Sequence, residues 1–261
     1  MCIRDRMNGN VGLKAQLPLF DHDEVIAVPS ALYSANLSVK GACVKECDDF
    51  LLPALQHYQM LGIRFDGIGL GLLRMQMDIE QIASMMCHLC DGVKLIDPIF
   101  ADHGKYYTGY DERYLRTLKK VLPMFDVMTP NSSEALLLSN RSANHLDEWK
   151  EVAKTLAKQY EIMVVITGIV VEDCPNQIHI VYGKEEIEVL SLCRRIEYSG
   201  AGDVFSASVL KSLLDGNSLK TAVQESAWLV EKLFIESMKQ KRDSQNGLIS
   251  ARFIENINRK P

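Results

Sequence analysis

The sequence predicts a three-layer α/β/α fold with a mainly parallel central sheet and an antiparallel hairpin at one edge. Three observations carry this. Short β-rich segments alternate with longer segments of helical period along most of the chain, the pattern of strands joined by crossover helices. Strands such as Ile162–Thr167 are rich in valine and isoleucine, which suits a sheet covered on both faces. Late in the chain Ile178–Tyr182 and Glu186–Leu190, joined through Gly183-Lys184, read as a hairpin.

Taken in order, Asn8-Gly9-Asn10-Val11-Gly12 leads into an apolar-periodic piece ending at Phe20. Glu24–Val28 is a strand candidate, and Pro29–Gly41 reads as loop from its serines, asparagine and proline. Asp48–Leu61 is helical, with an aspartate near its start. Phe65–Leu72 is a buried strand whose glycines suggest a close backbone approach. Met77–Cys90 is helical, Lys94–Pro98 is a strand that ends in an acid, and Phe100–Asp111 is a polar loop. Helix Glu112–Leu122 and strand Asp126–Thr129 come next. Asn131-Ser132-Ser133-Glu134 opens a helix, and Asn144–Gln159 forms another. After the hairpin, helices are expected at Ala201–Leu214, Leu219–Met238 and Ser250–Ile257.

The chain has 261 residues, 47% of them hydrophobic and 24% charged, enough for a sizeable core in a soluble α/β protein. A net charge of −5 without a basic run argues against a nucleic-acid partner. The longest apolar run, Ile162–Val171, is about half the roughly 20 residues that a membrane helix needs. With no leader visible, a cytoplasmic location is expected. Seven cysteines without framework spacing suit a reducing compartment. Cys43/Cys47 and Cys87/Cys90 lie in stretches that read as helical, where such spacing more often means packing than a zinc site. Residues 1–6 look foreign to the rest of the chain. They are set aside, the domain is taken as 7–261, and an N-terminal strand is expected to be missing.

The chemistry centres on Gly200-Ala201-Gly202-Asp203 at a helix start. Glycines there let backbone N–H groups converge on an anion, helped by the helix dipole. A carboxylate beside a bound anion makes sense as a base taking a proton from an attacking hydroxyl. The bland alternative is a glycine turn with Asp203 as a helix-start residue. In open α/β sheets ligands sit beyond the carboxyl ends of the strands. Three strands here end in polar groups, at Asp97, at Thr129-Pro130-Asn131 and at Thr167-Gly168, with Asp102 and Glu134 nearby in sequence. Acids and a phosphate cradle serve one reaction when a hard cation such as magnesium lies between them, as with a nucleoside triphosphate. Against this, Asn131…Glu134 has capping-box spacing, and Asp97 before Pro98 could be a turn residue.

Asp97-Pro98-Ile99-Phe100-Ala101-Asp102-His103-Gly104-Lys105-Tyr106-Tyr107, Asp126-Val127-Met128-Thr129-Pro130-Asn131-x-x-Glu134-Ala135 and Gly200-Ala201-Gly202-Asp203 resemble three successive motifs of pyridoxal/pyridoxamine kinases of the ribokinase-like superfamily. The similarity runs from about Gly9 to Leu219. It implies ATP-dependent phosphorylation of the 5′-hydroxymethyl group of pyridoxal, pyridoxamine or pyridoxine. Asp203 would be the base, and the N–H groups of Gly200, Ala201 and Gly202 the anion hole. Asp97 and Glu134 would hold magnesium, and Asn131 and Thr167 would lie on the nucleotide side. Asp102 and Tyr107 would belong to the covering loop. A homodimer would fit the resemblance.

The departures fall on the vitamin side. Asn36-Leu37-Ser38 stands where the family usually has His-Thr-Gly, which makes Asn36 the candidate substrate contact. Leu70-Gly71-Leu72 replaces Thr-Gly-Tyr, so hydroxyls that would hydrogen-bond the ring are leucines. Two other readings stay open. One is a kinase for a different hydroxymethyl compound, such as a hydroxymethylpyrimidine or a sugar. The other is a diverged nucleotide-binding protein with little turnover, for which a retained Asp203 would have no use.

Overall fold

The computed structural model describes residues 2–6, 9–35, 41–74, 77–171, 177–183, 186–191 and 197–252. The chain forms two compact units, Met1–Leu51 with Ile196–Pro261, and Leu52–Arg195. In chain order the elements are β1 (Cys2–Arg6), α1 (Leu13–Gln16), β2 (Val28–Tyr33), β3 (Val44–Glu46) and α2 (Asp48–Met60). Next come β4 (Phe65–Leu70), α3 (Ile79–His88), β5 (Cys90–Ile96), β6 (Ala101–Asp102), β7 (Lys105–Tyr106) and α4 (Glu112–Val121). They are followed by β8 (Val127–Met128), α5 (Ser132–Ser139), α6 (Leu146–Tyr160), β9 (Met163–Ile169), β10 (Ile178–Gly183) and β11 (Glu186–Ser191). Helices α7 (Ala201–Leu214) and α8 (Leu219–Lys239) come last.

The second unit has the strand order β11-β10-β9-β8-β5-β4. Its β4/β5, β5/β8 and β8/β9 pairs are parallel, while β9/β10 and β10/β11 are antiparallel. This is the mainly parallel sheet with an edge hairpin that the sequence predicts. Val164, Val165 and Ile166 are consecutive and fully buried. Successive strand residues point to opposite faces, so β9 is covered on both. In the first unit β2 pairs in parallel with β1 and antiparallel with β3.

The N-terminal expectation needs correction. The strand thought to be missing is present as β1, formed by the residues set aside as foreign, with Cys2 opposite Val28 and Arg6 opposite Tyr33. Strand pairing uses backbone N–H and C=O groups that nearly every residue carries, so an unfamiliar sequence can still occupy the position. The neighbouring strand also lies later than expected, at Val28–Tyr33 rather than Glu24–Val28. Pro29 is only its second residue, where a missing N–H is tolerated, and pairing to β3 begins beyond it at Ala31. Cys43 and Cys47 are not helical but flank the exposed edge strand β3. The 100–111 loop contains the small β6/β7 hairpin. Asn36, the Asn36-Leu37-Ser38 segment and most of the Ser250–Ile257 helix lie outside the described residues.

The close approach expected at the glycine-bearing β4 is made by a glycine on its partner. The β4/β5 register shifts between Phe65 and Gly67, and a Cβ at Gly92 would fall 1.9 Å from the Asp66 carbonyl oxygen. Backbone cannot yield there as a side-chain tip would. We expect Gly92→Ala to lower stability by about 1–3 kcal/mol, seen as a lower urea midpoint at unchanged slope. An unchanged midpoint would show that the bulge relaxes freely.

Candidate functional site

In the second unit, neighbouring strands deliver their polar ends to one edge. Asp97 N–H donates to Leu70 O at 2.8 Å and Thr129 N–H to Ile96 O at 3.1 Å. Thr167 N–H donates to Pro130 O at 2.9 Å, and Thr167 bridges Asn131 in parallel register. The ladder thus continues past the ends of β5 and β8 and meets Thr167 near the end of β9, bringing Asp97, Asn131 and Thr167 to the carboxyl ends of adjacent strands.

Glu134 ties this edge together. It is 2% exposed and Asp97 8%. The capping box read from the sequence is present: Glu134 N–H donates to Asn131 Oδ1 at 3.0 Å, and Asn131 N–H to Glu134 Oε2 at 2.9 Å. Glu134 Oε1 also accepts from Phe100 N–H at 3.0 Å and Ala101 N–H at 3.4 Å. Asn131 Nδ2 donates to Ala101 O at 2.8 Å. The carboxylate therefore caps α5 and fixes the turn after Asp97 at once. Burial, and next the Asp97 carboxylate, push its pKa well above the usual carboxylate range, against three backbone donors.

Above that turn stands the β6/β7 hairpin. His103 and Gly104 have φ of 49° and 72°, consecutive left-handed residues suited to a two-residue hairpin turn. Asp102 Oδ1 accepts from His103 N–H at 2.8 Å, and Gly104 N–H donates to Ser133 Oγ at 2.9 Å. Asp102 and Tyr107 thus sit on a small tethered flap, with the Tyr107 side of it exposed. On the opposite strand end, Gly168 has φ 69°, and its N–H points at Nδ1 of the buried His179, 3.4 Å away.

In the first unit the glycine loop opens α7. Gly200 is its N-cap, with φ 78° and no side-chain cap. A Cβ at Gly200 would lie 2.5 Å from Val11 Cγ1 and 2.9 Å from Asn10 O, whereas at Gly202 it would meet nothing within 4 Å. The two glycines therefore serve different ends. Gly200 is required by the fold, while Gly202 keeps space open beside the helix start. Ala201 N–H is used in a turn to Tyr198 O at 3.2 Å, and Val204 N–H makes the first helical bond, to Gly200 O. Of the three amides expected to form the anion hole, those of Gly200, Ala201 and Gly202, Ala201's is engaged in that turn, and among the described residues no side chain caps the helix start. Asp203 Oδ2 accepts from Gly12 N–H at 2.8 Å.

Sequence reasoning missed Gly12, Ser133 and His179 as partners of these groups. All three act across 11 to 191 positions of chain, and none carries a local spacing signal. Leu70 and Leu72 are each 2% exposed; they are packed in the interior of their unit.

Residues 12–247 match the family model described as phosphomethylpyrimidine kinase. The chain belongs to the phosphomethylpyrimidine kinase family. It is 29% identical over 222 residues to the pyridoxine kinase of Bacillus subtilis, covering 83% of this chain and 82% of that relative. It is 32% identical over 146 residues to the pyridoxine/pyridoxal/pyridoxamine kinase of Bordetella avium, covering 53% of this chain and 48% of the relative, so this match spans about half of that protein. The pyridoxal kinase from Lactobacillus plantarum superposes with a TM-score of 0.87 at 21% identity, covering 99% and 97% of the two chains. The Leishmania donovani pyridoxal kinase in complex with ADP and pyridoxine gives 0.86 at 19%, covering 99% and 94%. At such identities the likeness shows a shared fold, the ribokinase-like one of pyridoxal kinases.

A raised Glu134 pKa means that the native state holds this proton more tightly than the unfolded chain. The associated stability is fully present below about pH 4.5, the ordinary value, and is lost as pH rises through the folded value. Glu134→Gln lacks that falling limb but gives up one backbone partner. The stability advantage of wild type over Glu134→Gln should therefore shrink as pH rises above about 4.5, the ordinary value, measured by urea unfolding at each pH. A constant difference would contradict the shift.

Proposed function

We propose that the chain is an ATP- and magnesium-dependent kinase that phosphorylates the 5′-hydroxymethyl group of a B6 vitamer: pyridoxal, pyridoxamine or pyridoxine. The observation that carries this is the opening of α7: a left-handed Gly200, uncapped amides, unfilled space at Gly202, and Asp203 held by the Gly12 amide. A helix start built in this way offers donors and a positive dipole end to a phosphoryl group, with a base one residue further on. The family match and the pyridoxine kinase relatives support the same reading. The family model draws on residues of both compact units, and we take the two units, β1 included, as one kinase domain of the cytoplasm.

In this reading Asp203 takes the proton of the attacking hydroxymethyl group. The α7 amides offset charge on the phosphoryl oxygens, and Asn131 and Thr167 lie on the nucleotide side. Asp97 and Glu134 suit magnesium: they are two buried, mutually repelling carboxylates, a pair that a cation would relieve. Magnesium typically takes one or two carboxylates and keeps several waters. Three of the lone-pair positions of Glu134 already accept backbone N–H groups, so Glu134 would act through its remaining position or a water. Bound there with ATP, the ion would neutralise charge on the phosphates. Asp102 and Tyr107, on the tethered flap, are read as part of a covering loop.

A second reading, a kinase for a hydroxymethylpyrimidine, is favoured by the family description, which names a phosphomethylpyrimidine kinase. A panel of the three vitamers, hydroxymethylpyrimidine and a sugar, followed by phosphorus NMR of the products, separates the two; exclusive use of the pyrimidine would replace the B6 assignment. On the preferred substrate, Asp203→Asn should lower turnover by about 10²–10⁴-fold with ATP affinity retained. Gly202→Ala should also lose turnover, by blocking phosphate approach, while its melting temperature stays equal or rises slightly. A Gly202→Ala enzyme as fast as wild type would remove the α7 cradle from the mechanism.

A further inference from the structure

The turn that follows α8 is tied to both chain segments that meet at Asp203. The Arg242 guanidinium caps that turn, with Nε donating to Gly247 O at 2.6 Å and Nη2 to Asn246 O at 2.9 Å. The carbonyl of Arg242 in turn accepts from the Tyr198 hydroxyl at 2.8 Å. From the closed turn, Asn246 O accepts Asn10 N–H at 2.8 Å and Leu248 O accepts Asn10 Nδ2 at 3.0 Å. Ser244 O accepts Ser199 N–H at 3.1 Å. Gly247 seals the contact: with φ 73°, it has no room for a Cβ, which would fall 2.3 Å from Asn10 O and 3.0 Å from Ser199 O. Two residues on from Asn10 is Gly12, whose N–H meets Asp203 Oδ2; one residue on from Ser199 is Gly200, which caps the helix that carries Asp203.

We propose that Arg242, acting through the 242–248 turn, is a positioning residue that sets the Gly12 amide against Asp203 and thereby aims the base. This rests on the reading of Asp203 as the base. The guanidinium is suited to the task because its planar fork reaches two carbonyls in one fixed geometry, which a lysine ammonium cannot reproduce. A carboxylate that both accepts a proton and is held by a donor has its direction set by that donor, and misplacement by about 1 Å is enough to cost on the order of 10²-fold in rate.

The test uses the full chain and four variants: Arg242→Lys, Arg242→Ala, Gly247→Ala and the control Lys239→Ala, which removes an exposed pair with Glu236 at the end of α8. Two quantities are measured on each: steady-state phosphorylation of the preferred substrate with Mg·ATP, and hydrogen exchange of the peptide spanning residues 9–13. The expected result is a fall in kcat of about 10–100-fold for both Arg242 variants and Gly247→Ala. Both KM values should stay within about threefold, exchange at 9–13 should be faster, and the control should match wild type in both. Unchanged exchange and kcat in the Arg242 variants would overturn the proposal. So would a lowered melting temperature with wild-type kcat in the folded enzyme, since that is a purely structural role. If wild type phosphorylates nothing on the panel, the kinase reading fails, while the exchange measurement still decides whether Arg242 holds the Gly12 amide.

Discussion

The second unit depends on one buried carboxylate. Glu134 lies at the start of α5, where uncapped N–H groups would otherwise face the interior, and it accepts a donor from its own helix cap and two from the turn after Asp97. Without it, three backbone donors in a buried region would be unpaired, each at a cost of about 1–3 kcal/mol. Everything that the strand ends present is positioned by that knot. Asn131 is held by its reciprocal bond to Glu134, the β6/β7 flap by Asn131 Nδ2 and Ser133 Oγ, and Thr167 by its bridge to Asn131. The carboxylate that caps α5 through Asn131 thus also fixes the turn that follows Asp97 through Phe100 and Ala101.

The first unit reaches similar precision by glycine rather than by charge. Gly200 and Gly247 each sit where any side chain would collide with the Asn10–Val11 backbone or its neighbour. Three separate stretches of chain are thereby brought into direct contact around the start of α7. Such contacts leave little slack, since backbone atoms cannot rotate away as side-chain tips do.

Much of this was legible in the sequence where local rules apply. Helical period located α7 to the residue and α4 within one, and the capping box at Asn131 and Glu134 is evident from spacing alone. The end of β5 before Asp97 emerged from an apolar run giving way to an acid, whereas β9 continues two residues past Thr167, the end expected from its valine and isoleucine run. What was not legible has physical causes. β1 carries no recognisable pattern, and pairing through backbone groups does not require one. β2 runs through Pro29 because the proline is near its beginning. The flap strands β6 and β7 are two residues each, too short for any periodicity. Gly12 and Asp203 are 191 positions apart, so their bond is a product of the tertiary fold and leaves no trace in spacing.

The imidazole of His179 gives the second unit a built-in sensitivity to acid. Burial pushes its pKa down from 6.5 to about 4, so the ring is neutral in the native strand and binds a proton only once that strand opens. Stability from this group is fully present above pH 6.5, falls as the medium is acidified, and is gone by about pH 4, a total of roughly 3 kcal/mol. The strand that carries it, β10, is paired along its length with β9, and its ring faces the Gly168 amide just past Thr167. Mild acid therefore draws on the stability of the unit through the strand where the sheet turns from parallel to antiparallel, while the contribution of Glu134 at the start of α5, a group shifted in the opposite direction, is retained.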